Sequence, residues 1–154
     1  MKTRGKVLAG IVIVFLLLQL IQPSDNDMGN PGHTEFKVAF NVPDNIGMIL
    51  RASCFDCHSN STVYPWYAHI QPMGWWMNSH ISNGKSELNF DEFNAYPLRR
   101  KLSKLKSMAE RIEEEVMPLQ SYTIIHRSAK LSNDEQKLVT DWINKTIDSL
   151  EKNK

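Results

Sequence analysis

The chain has 154 residues, 42% of them hydrophobic and 23% charged, and a formal net charge of +1. That length normally supplies one domain. The balanced charge excludes a dominant basic surface for nucleic acid and gives no strong field to steer a particular partner.

Lys2, Arg4 and Lys6 precede an apolar run from Val7 to Ile21, broken only by Gly10 and Gln19. A charged start followed by such a run reads as an export signal or a signal anchor over residues 1–22. The run is short for a span, which takes about 20 residues. No small-x-small cleavage site follows, because the next residues are Gln22-Pro23-Ser24-Asp25, and no cysteine follows to carry a lipid. An uncleaved anchor is therefore favoured, with a removed signal peptide as the alternative. The basic residues would hold the N-terminus in the cytoplasm and place the rest in the periplasm. If the signal is removed, the product is a soluble periplasmic protein.

Residues 23–40 are polar and rich in turn formers, from Pro23-Ser24-Asp25-Asn26-Asp27 to Pro31-Gly32, and read as a linker. His33 falls in it as a solvated bystander. The domain then occupies residues 41–150, and its periodicity predicts helices with no convincing strand. Pro43 and Asp44 open a first helix with Ile46, Ile49 and Leu50 on one face.

That helix delivers Cys54-Phe55-Asp56-Cys57-His58, which carries the chemistry. C-x-x-C-H is the attachment pattern of a c-type haem. Two thiols one helical turn apart can add to the two vinyl groups of a porphyrin, and the histidine after the second lies under the iron as its nitrogen ligand. These are the only cysteines, and there is one motif, hence one covalent haem. A disulfide between Cys54 and Cys57 would close too short a loop to remove much entropy and leaves His58 unexplained. A thioredoxin-like pair needs a βαβ setting that the chain lacks. A zinc site would have to recruit His69 and His80 at non-standard spacing.

A polar, aromatic loop comes next, Ser59-Asn60-Ser61-Thr62-Val63-Tyr64-Pro65-Trp66-Tyr67. Pro72 starts a second helix through Trp75, Trp76 and His80, with Gly84 expected as its C-terminal cap. Pro97 starts a third, whose stripe of Leu98, Leu102, Leu105, Met108, Ala109, Ile112 and Val116 is spaced for burial. It is expected to stop at Met117, because Pro118 disfavours helical geometry before it. After a loop through Tyr122 and His126, the capping box Ser132-Asn133-Asp134-Glu135 opens a last helix with Leu138, Val139, Trp142, Ile143 and Ile147 inward.

This order of elements resembles a class I cytochrome c. The closer resemblance is to the bacterial haem-binding domain family, whose members look like Cys-Tyr-Asp-Cys-His-Ser-Asn, then Tyr-Pro-Trp-Tyr, an aromatic helix, and Met-Pro-Leu-x-Ser-Tyr. Matching residues here are Cys54 to Asn60, Tyr64 to Tyr67, Trp75, Asn89-Phe90 and Met117 to Tyr122, with Phe55 in place of the usual tyrosine. The resemblance covers residues 43–148. It implies a covalent haem and a periplasmic setting without a defined reaction.

Met117 is the expected second axial ligand, from its place before the final helix together with the family match; core filling is the bland alternative. A thioether there stabilises ferrous iron. Met48, Met73, Met77 and Met108 are expected to be packing residues, His69 and His80 weak competitors for the iron, and His126 a surface residue. Tyr64, Trp66, Tyr67, Trp75 and Trp76 are expected to wall the haem. The basic run Arg99-Arg100-Lys101 with Lys104 and Lys106 reads as a solvated helix face. The expected protein is an all-α, monohaem, membrane-tethered electron carrier rather than a stand-alone enzyme, exchanging electrons with redox partner proteins. A haem-based redox or gas sensor and a haem subunit of a larger redox complex are the alternatives.

Overall fold

The computed structural model describes residues 2–27 and 33–152, with the side chains of Lys2, His33 and Thr34 left out. The expectation for the His33 side chain thus lies outside what is described. The helices, in chain order, are α1 (Lys2–Leu18), α2 (His33–Ala39), α3 (Asp44–Ser53), α4 (Phe55–His58), α5 (Met73–Glu87), α6 (Leu98–Glu113), α7 (Gln120–Ile125) and α8 (Asn133–Lys152). Single 3-10 turns occupy Trp66–His69, Phe93–Ala95 and Arg127–Ala129. Among the described residues there is no strand, only an isolated antiparallel bridge between Asp27 and Ser61. The chain is all-α, as its periodicity predicts.

The amphipathic stripes do what their spacing requires. α6 buries Leu105, Ala109 and Ile112 against α8, which buries Val139, Trp142, Ile143 and Ile147. α8 starts in its capping box: the Glu135 amide donates to Ser132 Oγ (3.3 Å) and the Ser132 amide to Glu135 Oε2 (2.8 Å). α3 begins at Asp44, as Pro43 predicts, and buries Ile46 and Leu50.

α6 ends at Glu113, short of the expected Met117. Glu115 takes a left-handed φ of 57°, the Glu115 amide donates to the Ile112 carbonyl and the Val116 amide to Arg111 (both 3.1 Å). This paired closure is a Schellman-type stop with glutamate where glycine is usual. Val116 is consequently 42% exposed instead of extending the stripe. The stretch read as a loop after Pro118 contains α7.

Within the stretch 23–40, expected to be a polar linker, the described residues at either end touch the domain. Phe36, on α2, is 1% exposed and sits at the centre of the core, edge-on to Phe90 (4.9 Å), Phe93 (5.3 Å) and Trp142 (6.2 Å). Upstream, Asn26 Nδ2 donates to the Ser59 carbonyl (2.8 Å) and to Thr62 Oγ1 (2.9 Å). Turn-rich composition signals irregular backbone, and it does not reveal that Asn26 and Phe36 are packed. α1, in contrast, leaves most of its apolar side chains exposed: Val7, Leu8, Ile11 and Leu16 are each more than half exposed. At 17 residues it is the most apolar helix, yet no described helix is long and apolar enough to cross a membrane.

Phe36→Ala tests the enlarged domain. Removing a fully buried ring costs about 3–5 kcal/mol. A chemical denaturation midpoint that fails to move would return α2 to the status of a spacer.

Candidate functional site

C-x-x-C-H is built across a break in the helix. α3 stops at Ser53, Cys54 leaves helical geometry at φ −126°, and the chain turns once more as α4. The amides of Cys57 and His58 both donate to the Cys54 carbonyl (3.2 and 3.0 Å), closing a single turn that sets the two cysteines one turn apart. α5 crosses directly over that turn. A Cβ at Gly84 would stand 2.6 Å from the Cys57 carbonyl oxygen, so only glycine allows this approach. Gly84 lies inside α5, three residues before its end, and is a packing residue instead of the expected cap.

His58 is gripped by the segment just after α5. Its Nδ1–H donates to the Leu88 carbonyl (2.9 Å), and its own carbonyl accepts from the Phe90 amide (2.8 Å). Asn89 between them is buried, with Nδ2 donating to Asn60 Oδ1 (2.9 Å) and Glu92 Oε1 (3.0 Å). A ring that donates from Nδ1 carries its lone pair on Nε2, the tautomer of a metal-ligating imidazole. Burial holds the imidazole below its usual pKa, opposed by the Leu88 and Gly84 carbonyls and the Glu87 carboxylate. A neutral ring is the ligand form.

Both cysteines are free. Burial, with the neighbouring Cys57 second, pushes the Cys54 thiol up to about 12; burial, with Asp56 second, pushes Cys57 up to about 11. A redox-active pair needs a thiol held as thiolate at neutral pH, and this environment does the opposite. No three His, Cys, Asp or Glu side chains among the described residues converge into a metal-binding group, which leaves the zinc reading without ligands.

Two adjoining cavities meet at His58. The larger, about 380 Å³, is lined by Cys54, His58, Phe90, Met108, Ile112, Met117 and Leu131; the smaller, about 170 Å³, by Cys57, His58, His80, Gly84, Met117 and Tyr122. Volumes of this scale suit a bound organic group. Met117 borders both, so the structure brings together all four residues singled out from the sequence. It also brings in Met108, expected to be a packing residue, in the larger cavity and His80, expected to be a weak competitor for the iron, in the smaller. His80 Nδ1 is bonded to the Trp76 carbonyl (2.8 Å).

The aromatic wall is only partly at the site. Tyr67 and Trp76 line a narrow third cavity together with Cys57, His80 and Tyr122, next to the smaller one, whereas Tyr64, Trp66 and Trp75 line none of the three. The apolar lining of the other two comes from α6 and from Leu88, Phe90, Leu119 and Leu131. Lys104, Ser107 and Arg111 line the larger cavity, one turn apart on α6. Each cation has an exposed acidic partner, Glu87 at 3.1 Å and Glu114 at 3.4 Å. Helix periodicity identifies their face as polar without showing that it abuts the site.

The Met117 side is joined to the C-x-x-C-H side by one side-chain bond. The Tyr122 hydroxyl donates to Asp56 Oδ2 (2.5 Å), and His126 stacks on Tyr122 with centroids 4.3 Å apart while its Nε2 meets the Tyr67 hydroxyl. Burial, then the Asp56 carboxylate, raises the Tyr122 phenol, which stays a donor. Asp56 Oδ1 also accepts from the Val63 amide (3.1 Å). Asp56 therefore ties the loop and α7 to the turn that holds the thiols.

The family model described as "Haem-binding domain" matches residues 13–145. The chain is also similar to the protein named "Cytochrome c peroxidase Ccp" of Escherichia coli (strain K12), 26% identical over 142 residues. That alignment takes in 90% of this chain and 30% of the peroxidase, so the chain spans less than a third of that relative. No solved structure matches significantly.

Gly84→Ala checks the crossing of α5 over the thiol turn. Its methyl would meet backbone, which cannot swing aside, and overpacking of that kind costs about 1–3 kcal/mol. Equal thermal stability of variant and wild type would mean that the helices do not approach this closely.

Proposed function

This chain belongs to the haem-binding domain family, and from that we propose that it is a monohaem c-type cytochrome, attached to the cytoplasmic membrane through residues 1–22 with its haem domain in the periplasm. The observation that carries this reading is the placement of Cys54, Cys57, His58 and Met117 around adjoining cavities, with His58 held in the tautomer that frees Nε2.

The residues present fit the group. Cys54 and Cys57 would hold it as thioethers, His58 Nε2 would supply one ligand to its iron and the Met117 thioether a second. Phe90, Met108, Ile112 and Leu131 give an apolar wall, while Lys104 and Arg111 give that wall a cationic side suited to the two carboxylates of a porphyrin. When bound, the haem supplies a one-electron ferric/ferrous couple. The chain's own contribution is to hold both ligands, exclude water from one side and favour the ferrous state through sulfur. Redox partner proteins would be its donors and acceptors, in electron transfer rather than stand-alone catalysis.

A second reading is a haem-bearing module of a larger redox complex. It is favoured by the likeness to a stretch of a peroxidase more than three times as long as the region matched. A sensor would need the Met117 ligand to give way to an exogenous one.

Covalent attachment is tested on protein matured where c-type haem can be attached. Haem should survive denaturation in the wild type and be lost when Cys54 and Cys57 are both replaced by alanine; a double variant that retains it covalently would sink the reading.

The axial assignment is tested by three variants. The oxidised wild type should show a weak far-red sulfur-to-iron band. Met117→Ala should remove that band, open the iron to small ligands and lower the potential. Met108→Ala and His80→Ala should leave the band in place. Loss of the band in Met108→Ala alone would transfer the role to α6, and a bis-histidine spectrum altered only by His80→Ala would transfer it to α5.

A further inference from the structure

The junction between α1 and the domain is bonded side chain by side chain. At its centre is Gln71, which is fully buried. The Gln71 amide donates to Gln19 Oε1 (2.8 Å), its Nε2 donates to Gln22 Oε1 (2.8 Å), and its carbonyl accepts from Gln19 Nε2 (3.2 Å). Gln22 Nε2 reaches the His69 carbonyl (3.2 Å), and the Trp75 indole N–H donates to the Ile21 carbonyl (2.8 Å). Further along, the Asn26 amide donates to the Tyr64 hydroxyl (2.7 Å) and Lys85 Nζ to Asn26 Oδ1 (2.5 Å). Cleavage before Pro23 would strip Gln71 of both glutamine partners, and buried amides left unpaired are costly. Residues 19–27 are thus a strap, part of the domain on one side and continuous with α1 on the other.

Around the strap, apolar side chains face outward. Trp66 is 77% exposed, Trp76 45%, and Ile70 and Met73 38% each, with Leu20 and Ile21 beside them more exposed than not. Met73 and Trp76 share a face of α5 at i, i+3. Apolar side chains left exposed together in this way point to an interaction site.

The character of α1 identifies the occupant. Between Val7 and Ser24 there is no charged residue, and the apolar side chains surround the helix. A protein groove covers one stripe of a helix; a helix apolar all round needs an apolar medium. At about 1.5 Å per residue, 17 residues reach roughly 25 Å, short of a hydrocarbon core of about 30 Å. A short helix held by a rigid junction draws the domain attached to it down toward the lipid. The face of the domain beside that junction carries Trp66 and Trp76, and tryptophan is the side chain that settles among headgroups.

We propose that the domain is docked on the bilayer instead of hanging from it: residues 19–27 hold Trp66, Ile70, Met73 and Trp76 in the lipid headgroup layer. This rests on the membrane placement proposed above. The His58 cavities then face partners at a set orientation, since the segment that fixes the docking also bonds to Ser59, Thr62 and Tyr64, just after His58.

The experiment is hydroxyl-radical footprinting of the full chain in nanodiscs of phosphatidylethanolamine and phosphatidylglycerol, loaded with one chain per disc. Trp66, Met73 and Trp76 should be oxidised several-fold more slowly in the wild type than in Gln19→Ala/Gln22→Ala, with Met48, exposed on α3, equally reactive in both. Trp66→Ser/Trp76→Ser, which alters exposed side chains only, should fold normally and speed oxidation of Met73. If Phe15 is protected while Trp66, Met73 and Trp76 react alike with and without the strap glutamines, the anchor stands and the docking is wrong. If Phe15 also reacts freely, the membrane placement itself fails. Slow oxidation only in discs holding two chains would assign the face to a second copy and overturn the proposal.

Discussion

His58 is fixed by two bonds to one short segment: its ring donates to the Leu88 carbonyl and its carbonyl accepts from the Phe90 amide. The first bond chooses which nitrogen keeps a lone pair, and the second sets where the ring stands. Both partners are backbone, so neither can rotate away. That segment is held by buried Asn89 and anchored in the core by Phe90, whose ring lies 5.0 Å from Phe55 and 4.9 Å from Phe36. The position of the imidazole is thereby coupled to the aromatic centre of the molecule. Side chains whose partners are themselves locked give the preorganisation that a ligand site requires.

The opposite side of the site is held less firmly. Met117 lies four residues beyond the end of α6, and the loop reaches the C-x-x-C-H turn through Tyr122 and Asp56. A hydrogen bond to a charged acceptor is worth about 1.5–3 kcal/mol, whereas the α6–α8 core beside it buries a continuous row of apolar residues. The histidine side is thus built into the core and the methionine side is latched onto it. Under the proposed reading, such an asymmetry would make the His58 ligand the fixed one and the Met117 ligand the one that can be released at lower cost.

Local signals in the sequence were enough for local structure. The C-x-x-C-H turn, the start at Pro43, the Ser132–Glu135 box and the α6 and α8 stripes each depend on residues within a few positions of one another. Where the structure departs, the deciding partner is distant or the signal is ambiguous. One phenylalanine in a polar stretch does not announce that it will meet Phe90 and Trp142. Glu115 occupies a left-handed position that glycine would have advertised, so the early end of α6 was hidden. Gly84 reads equally as cap or contact until α5 is laid over Cys57. Residue type points the Tyr64–Trp76 aromatics at the site, yet it does not say that only Tyr67 and Trp76 border a cavity shared with Cys57. Lys104 and Arg111 look solvated along the helix and border the site only once α6 is packed.

The two halves of the domain also divide the energetic labour. The aromatic cluster around Phe36 is closely packed, ring edge to ring face, while beside it the larger cavity lies between α6 side chains and Cys54 and His58. In a domain this small, apolar surface is limited relative to the chain that must be ordered, and a cavity forfeits the contacts of the side chains that line it. A planar apolar group filling that space would complete the interior, and its binding would add to folded-state stability by mass action. Covalent attachment at Cys54 and Cys57 would make that contribution permanent. Under the proposed reading, the thiols, the His58 tautomer and the incomplete core are therefore one arrangement: a fold that acquires its last interior face with its cofactor.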